Sequence, residues 1–170
     1  GIAVHLDGAR VLNAATALGI DASEIAARFD TATLCLSKGL GCPLGALLAG
    51  SSELIERAWR EKHLFGGAMR QSGIVAAAGV YALEHHVDRL ADDHARARLL
   101  AERLESVGVP VDLEQVESNF VQIDVAPLAL TRAEALARLR DEGVGLSATI
   151  HPTVMRAVTH LGITDEDIDR

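Results

Sequence analysis

Residues 31–45 read Thr31-Ala32-Thr33-Leu34-Cys35-Leu36 and then Ser37-Lys38-Gly39-Leu40-Gly41-Cys42-Pro43-Leu44-Gly45. The first six are β-branched or apolar, which predicts a strand. The next nine place three glycines and a proline within seven residues, which predicts a tight turn. Ala46 to Ala49 resumes as a second apolar strand. Lys38 therefore stands at a strand's carboxyl end, where ligands bind in α/β sheets. Glycines beside it would let backbone approach a bulky ligand without Cβ clashes. Spacing alone leaves open an ordinary solvated lysine in a turn.

Upstream, Ile2-Ala3-Val4-His5-Leu6 predicts a short strand emptying into a turn at Asp7-Gly8. Val11 to Leu18 reads as a helix closed by Gly19. Asp21 with Glu24 three residues on predicts a capping box and a second short helix through Ala27. Downstream, Ser52 to about Lys62 has helical spacing, and Gly66-Gly67 breaks it. Met69 to Glu84 is apolar nearly all round, which predicts a helix buried between other elements. Val87 to Val107 reads as a long amphipathic helix of the kind that links domains.

Beyond it the pattern changes. Asn119–Val125, Val144–Ile150 and Val154–Thr159 predict strands, Thr131 to Glu134 a capped helix, and Thr164 with Asp167 the cap of a last one. Residues 1–95 are read as part of a large α/β sheet domain and 96–170 as a smaller α/β domain. The chain opens within a strand and ends within a helix, so both ends are expected to be cut.

Composition narrows the class. The apolar fraction is 49%, aromatics are 3%, and the net charge is −8. The acidic balance and the lack of a basic face speak against a nucleic-acid partner. No run of about 18 apolar residues suggests a membrane span. Cys35 and Cys42 lack metal-site spacing, and are read as reduced thiols of a cytoplasmic protein. No metal site is expected. Of 16 basic residues only Lys38 and Lys62 are lysines. Guanidinium stays protonated and does not readily form an imine, so a chemistry that needs a primary amine points to a lysine. Lys62 sits in a polar helical stretch and reads as solvated.

Asp7 and Arg10 also follow a strand's carboxyl end. If the strands ending at Leu6 and Leu36 run parallel in one sheet, Asp7 and Lys38 face one crevice. That pair suits a pyridoxal cofactor: an amine for the aldehyde, and a carboxylate to keep the pyridine nitrogen protonated. Taken alone, Asp7-Gly8 is equally a simple turn. The stretch His5-Leu6-Asp7-Gly8-Ala9-Arg10-Val11-Leu12-Asn13-Ala14 resembles a strand–turn–helix signature of low-specificity L-threonine aldolases. Leu36 to Gly45 is similar to their cofactor-lysine segment, and Phe65 to Gly73 to their glycine-rich entry to a helix. Arg156-Ala157-Val158-Thr159-His160 extends the likeness to nearly the whole chain.

The resemblance implies an aminotransferase-like, fold-type I arrangement: part of a large pyridoxal 5'-phosphate (PLP) domain followed by a small C-terminal α/β domain. It implies retro-aldol cleavage of L-threonine or L-allo-threonine to glycine and an aldehyde. By the same likeness Lys38 holds the cofactor as an imine, and Asp7 pairs with the pyridine nitrogen. Arg10 lies by the cofactor oxygen and substrate carboxylate, Arg156 binds that carboxylate, and Arg70 approaches the cofactor phosphate. Family sites lie at a subunit interface, which implies a homo-oligomer, a dimer of dimers. The phosphate loop, the ring-stacking histidine and a histidine near the β-hydroxyl are expected before Gly1, so the piece alone is expected to be inactive.

Two departures stand out. Gly66-Gly67-Ala68 replaces three glycines, and His63 stands where relatives carry a basic residue, here read as solvent-exposed. His85, His86 and His94 are read as surface or packing residues. Two other readings stay open: a fold-type I β-eliminating lyase acting on tryptophan, tyrosine or cysteine derivatives, and a non-catalytic scaffold.

Overall fold

Strand β2 (Thr31–Cys35) organises the first sheet, with β1 (His5–Leu6) on one side and β3 (Ala46–Gly50) on the other. In the computed structural model, which describes all 170 residues, β1 and β2 run parallel, with His5 opposite Thr31 and Leu6 opposite Ala32. A parallel pair requires a crossover. Helices α1 (Val11–Leu18) and α2 (Ala22–Ala26) supply it. Gly19 ends α1 in the left-handed conformation, and the Asp21–Glu24 capping box starts α2. β3 pairs antiparallel with β2, because residues 36–45 turn back without a crossover helix. The sheet is thus mixed, with one parallel and one antiparallel pair.

Helix α3 (Ser52–Leu64) begins on a Ser51 cap, its hydroxyl accepting from the Leu54 amide. Helix α4 (Gly73–His85) is shorter than its sequence pattern. Its expected burial on all sides is not found. Gly79 and Ala82 are buried, but Ile74 is 78% exposed and Tyr81 58%. Apolar composition marked α4 as able to be buried, and this chain covers only one of its faces. The small core beneath consists of Leu36, Leu40, Cys42 and Ala82, with Leu12, Ala78 and Val87 packed against it.

The chain divides into two units, Gly1–Leu90 and Ala91–Arg170. The second is organised by helix α5 (Leu90–Ser106) and an antiparallel sheet of order β4-β6-β5. These strands are β4 (Phe120–Asp124), β5 (Ser147–Ala148) and β6 (Val154–Val158). Strand side chains alternate between faces. Val121, Ile123, Met155 and Ala157 form one face, packed with Ala97 and Ala101 of α5 and Ala135 of α6 (Arg132–Asp141). Full burial of each larger side chain there contributes about 2 kcal/mol. The other face carries Phe120, Gln122, Asp124, Val154, Arg156, Val158 and Ser147, as the pairing register requires.

Buried polar groups tie the second unit together. Asn119 donates to the Thr159 carbonyl at 2.8 Å, and the Thr159 hydroxyl donates to the Asp93 carbonyl at 2.6 Å. Capping boxes at Thr131–Glu134 and Thr164–Asp167 start α6 and α7 (Asp165–Asp169). Arg96–Asp165 and Arg103–Asp169 ion pairs join α7 to α5. Strand β5 keeps only two of the seven residues expected, since the chain leaves the ladder at Thr149 for the His151-Pro152 loop.

Candidate active site

The β1–α1 turn begins with Asp7, whose Oδ1 accepts from the Ala9 amide at 3.1 Å. That bond fixes the carboxylate over its own turn. Gly8 is buried, and a Cβ there would lie 2.3 Å from the Thr33 carbonyl oxygen. Only glycine lets this turn lie against β2. Arg10 follows as the half-buried N-cap residue of α1, and Asn13 one turn later is buried. The parallel pairing brings Asp7 and Lys38 to the carboxyl ends of neighbouring strands.

The Lys38 loop is held from below. Leu36, Leu40 and Cys42 go into the core, which leaves Lys38 exposed at the crest. The Gly41 amide closes onto the Lys38 carbonyl at 2.8 Å, and the Cys42 amide onto the Leu36 carbonyl at 3.1 Å. A Cβ on Gly39 would lie 2.9 Å from Leu90 Cδ2 and 3.1 Å from Asn13 Oδ1. The closeness that Gly39 permits is thus to protein atoms; the sequence had suggested room for a ligand. Asn13 and Gly39 make α1 and the lysine loop one packed unit.

Two further supports escaped the sequence reading. His86 Nδ1 donates to the Leu40 carbonyl at 2.7 Å, and its ring meets Tyr81 edge-on. The acceptor is a carbonyl, so the Nδ1 nitrogen carries the proton. Cys42 Sγ donates to the Ala78 carbonyl at 3.5 Å, and burial pushes its thiol pKa up. His86 lies outside every motif named above, Cys42 lies within the Leu36–Gly45 segment, and each contact depends on α4 packing under the loop. Cys35 and Cys42 are both free.

Arg156 lies mid-strand in β6 and is half-buried. It belongs to the second unit, whereas Asp7, Arg10, Lys38 and Arg70 belong to the first. Arg70 is exposed ahead of α4, and His63 is exposed with Nδ1 on the Trp59 carbonyl at 2.8 Å. His85 is exposed beside Tyr81; His94 is half-buried, and burial lowers its pKa. A cavity of about 970 Å³ in the second unit, lined by Leu104, Leu128, Leu139 and Ile168 among others, touches none of the five candidates. Its largely apolar lining comes from the packing of helices on the sheet. No cluster of three metal-ligating side chains occurs, and no helix is long and apolar enough to cross a membrane.

A carboxylate and a primary amine that follow the carboxyl ends of two adjacent strands are the donor types a pyridoxal ring requires, so the residues present fit that group. The chain belongs to the beta-eliminating lyase family, whose profile matches residues 1–126. Among curated proteins it is 41% identical over 167 residues to the low-specificity L-threonine aldolase of Escherichia coli strain K12, covering 98% of this chain and 48% of that protein. It is 37% identical over 169 residues to low-specificity L-threonine aldolase 1 of Arabidopsis thaliana, covering 99% of this chain and 47% of that one. A Listeria monocytogenes crystal structure, assigned as an L-allo-threonine aldolase, superposes with TM-score 0.77 at 27% identity, over 99% of this chain and 50% of that one. The chain therefore spans about half the length of these relatives. Its mixed α/β architecture is the fold of these enzymes, as the sequence likeness implied.

Proposed function

We propose that this chain carries the lysine, the pyridine partner and the carboxylate-binding arginines of a PLP-dependent lyase that cleaves L-threonine or L-allo-threonine to glycine and an aldehyde. The observation that carries the reading is the parallel β1·β2 pair, which delivers Asp7 and Lys38 to one edge. When bound, pyridoxal phosphate supplies an electron sink for the carbon–carbon bond that breaks.

Lys38 presents its amine on a loop anchored at Leu36, Leu40 and Cys42, so Nζ is accessible while its backbone is fixed. Asp7, its Oδ1 held by the Ala9 amide, would favour the protonated form of the pyridine nitrogen of a bound cofactor by Coulomb attraction. By the family likeness Arg10 and Arg156 are each assigned to the substrate carboxylate, whose capture suits a guanidinium. Arg70 is assigned to the cofactor phosphate. Free thiols at Cys35 and Cys42 support a reducing, cytoplasmic setting, and the family likeness supports a homo-oligomer with the site near a subunit interface.

Lys38→Ala in the full-length, cofactor-treated protein tests the assignment. The expected result is loss of the visible absorbance of lysine-bound cofactor and no release of glycine and acetaldehyde from threonine. Normal turnover by that variant would sink the proposal. Pyruvate and ammonia released by the wild type, in place of glycine and acetaldehyde, would reassign the reaction to β-elimination.

A further inference from the structure

Arg156 is the third residue of β6, the central strand of its sheet. Directly across on β4 stands Gln122, and directly across on β5 stands Ser147. Ser147 engages Arg156 twice. Its Oγ accepts from Arg156 Nε at 3.3 Å and donates to the Arg156 backbone carbonyl at 3.2 Å. The Phe120 ring, on the same face of β4, lies 5.2 Å from the guanidinium carbon.

A guanidinium can meet a carboxylate along two edges: through Nε with one Nη, or through the two Nη groups. Ser147 occupies the Nε–H, which leaves the Nη1/Nη2 edge. Phe120 covers one face of the planar group, a placement that cation–π attraction favours. Both contacts restrict a side chain that otherwise loses rotamer freedom on binding.

We propose that Ser147 and Phe120 are positioning residues that hold the Arg156 guanidinium for end-on capture of the substrate α-carboxylate. This rests on the reading of Arg156 as a carboxylate-binding residue. Its signature is selective: substrate affinity depends on the Ser147 hydroxyl and the Phe120 ring, while the bond-breaking step does not. Ser147→Thr keeps a hydroxyl on Cβ and preserves the contact; Ser147→Ala removes it. Phe120→Leu keeps apolar bulk and removes the ring face.

The test uses the full-length, cofactor-loaded protein and two measurements. Steady-state kinetics with L-threonine should give a KM raised about fivefold in Ser147→Ala and in Phe120→Leu, kcat within about twofold, and near-normal values in Ser147→Thr. Calorimetric titration with glycine, which requires no turnover, should show a matching loss of affinity in Ala and Leu and recovery in Thr. Unchanged KM and glycine affinity in Ser147→Ala and Phe120→Leu, with both impaired in Arg156→Lys, would overturn the positioning role and leave Arg156 in place. Failure of Ser147→Thr to recover glycine affinity also overturns it, because Ser147 is then merely structural. If Arg156→Lys itself binds glycine normally, the underlying carboxylate assignment falls.

Discussion

The Cα hydrogens of Gly8 face the carbonyl oxygen of Thr33, with only 2.3 Å between that oxygen and the place a Cβ would occupy. This contact presses the Asp7 turn onto β2, the strand that leads to Lys38. The two halves of the proposed chemistry are thus joined through backbone, before any side chain takes part.

Gly8→Ala therefore has an expected outcome. Backbone must yield on one side, and overpacking of this kind destabilises by about 1–3 kcal/mol. Urea denaturation should show a lower midpoint. Because the β1–α1 turn is what moves, cofactor binding measured by visible absorbance should weaken as well. Wild-type stability and wild-type cofactor affinity together would show that the turn does not depend on this approach.

His86 governs the other side of the same edge. Replacement by Phe keeps the ring against Tyr81 but removes the donor to the Leu40 carbonyl. Loss of one such hydrogen bond lowers stability by about 1 kcal/mol. Faster amide exchange should follow at Gly41 and Cys42, whose amides close the lysine loop. Exchange rates equal to wild type would place the loop's rigidity elsewhere.

How much of this could be read from the sequence depended on the range of the interaction. Local devices were legible: the Gly19 stop, the three capping boxes and the Lys38 turn are each set by neighbours within a few residues. The pairing of β1 with β2 was stated only as a condition, since register depends on groups such as Thr33 and Gly8 that lie 25 positions apart. His86 on the Leu40 carbonyl and Ser147 on Arg156 carry no motif, and each exists only once an element has packed. Strand β5 was overextended because Val144 to Ile150 has strand composition, yet Arg132 donates to the Thr149 carbonyl at 2.7 Å and also to that of His151, drawing the chain out of the ladder. The apolar circumference of α4 misled for the opposite reason: composition reports what a helix can bury, not what the chain provides to cover it.

Acid sensitivity of the second unit follows from its caps. Hydrogen bonds from Thr131 hold the Glu134 carboxyl below its ordinary 4.5, and those from Thr164 hold Asp167 below 3.8. A lowered folded pKa means that the unfolded chain binds protons first as pH falls. The contribution is complete above the ordinary values and is lost as pH drops through the lowered ones. Thr131→Val removes the hydroxyl bonded to Glu134 at 2.6 Å. The variant should be less stable at neutral pH, and the gap to wild type should narrow on acidification, as followed by circular dichroism. A gap that widens in acid would contradict the sign.

Strand β3 has a consequence of its own. It borders the sheet, its five residues Ala46 to Gly50 are all exposed, and Leu47 and Leu48 keep 46% and 42% of their surface. No charge, proline or bulge interrupts it, and those are the devices by which natural edges repel foreign strands. Left bare, this margin is a template on which another polypeptide can continue the hydrogen-bond ladder. Covering this margin would therefore guard the chain against fibre-like assembly.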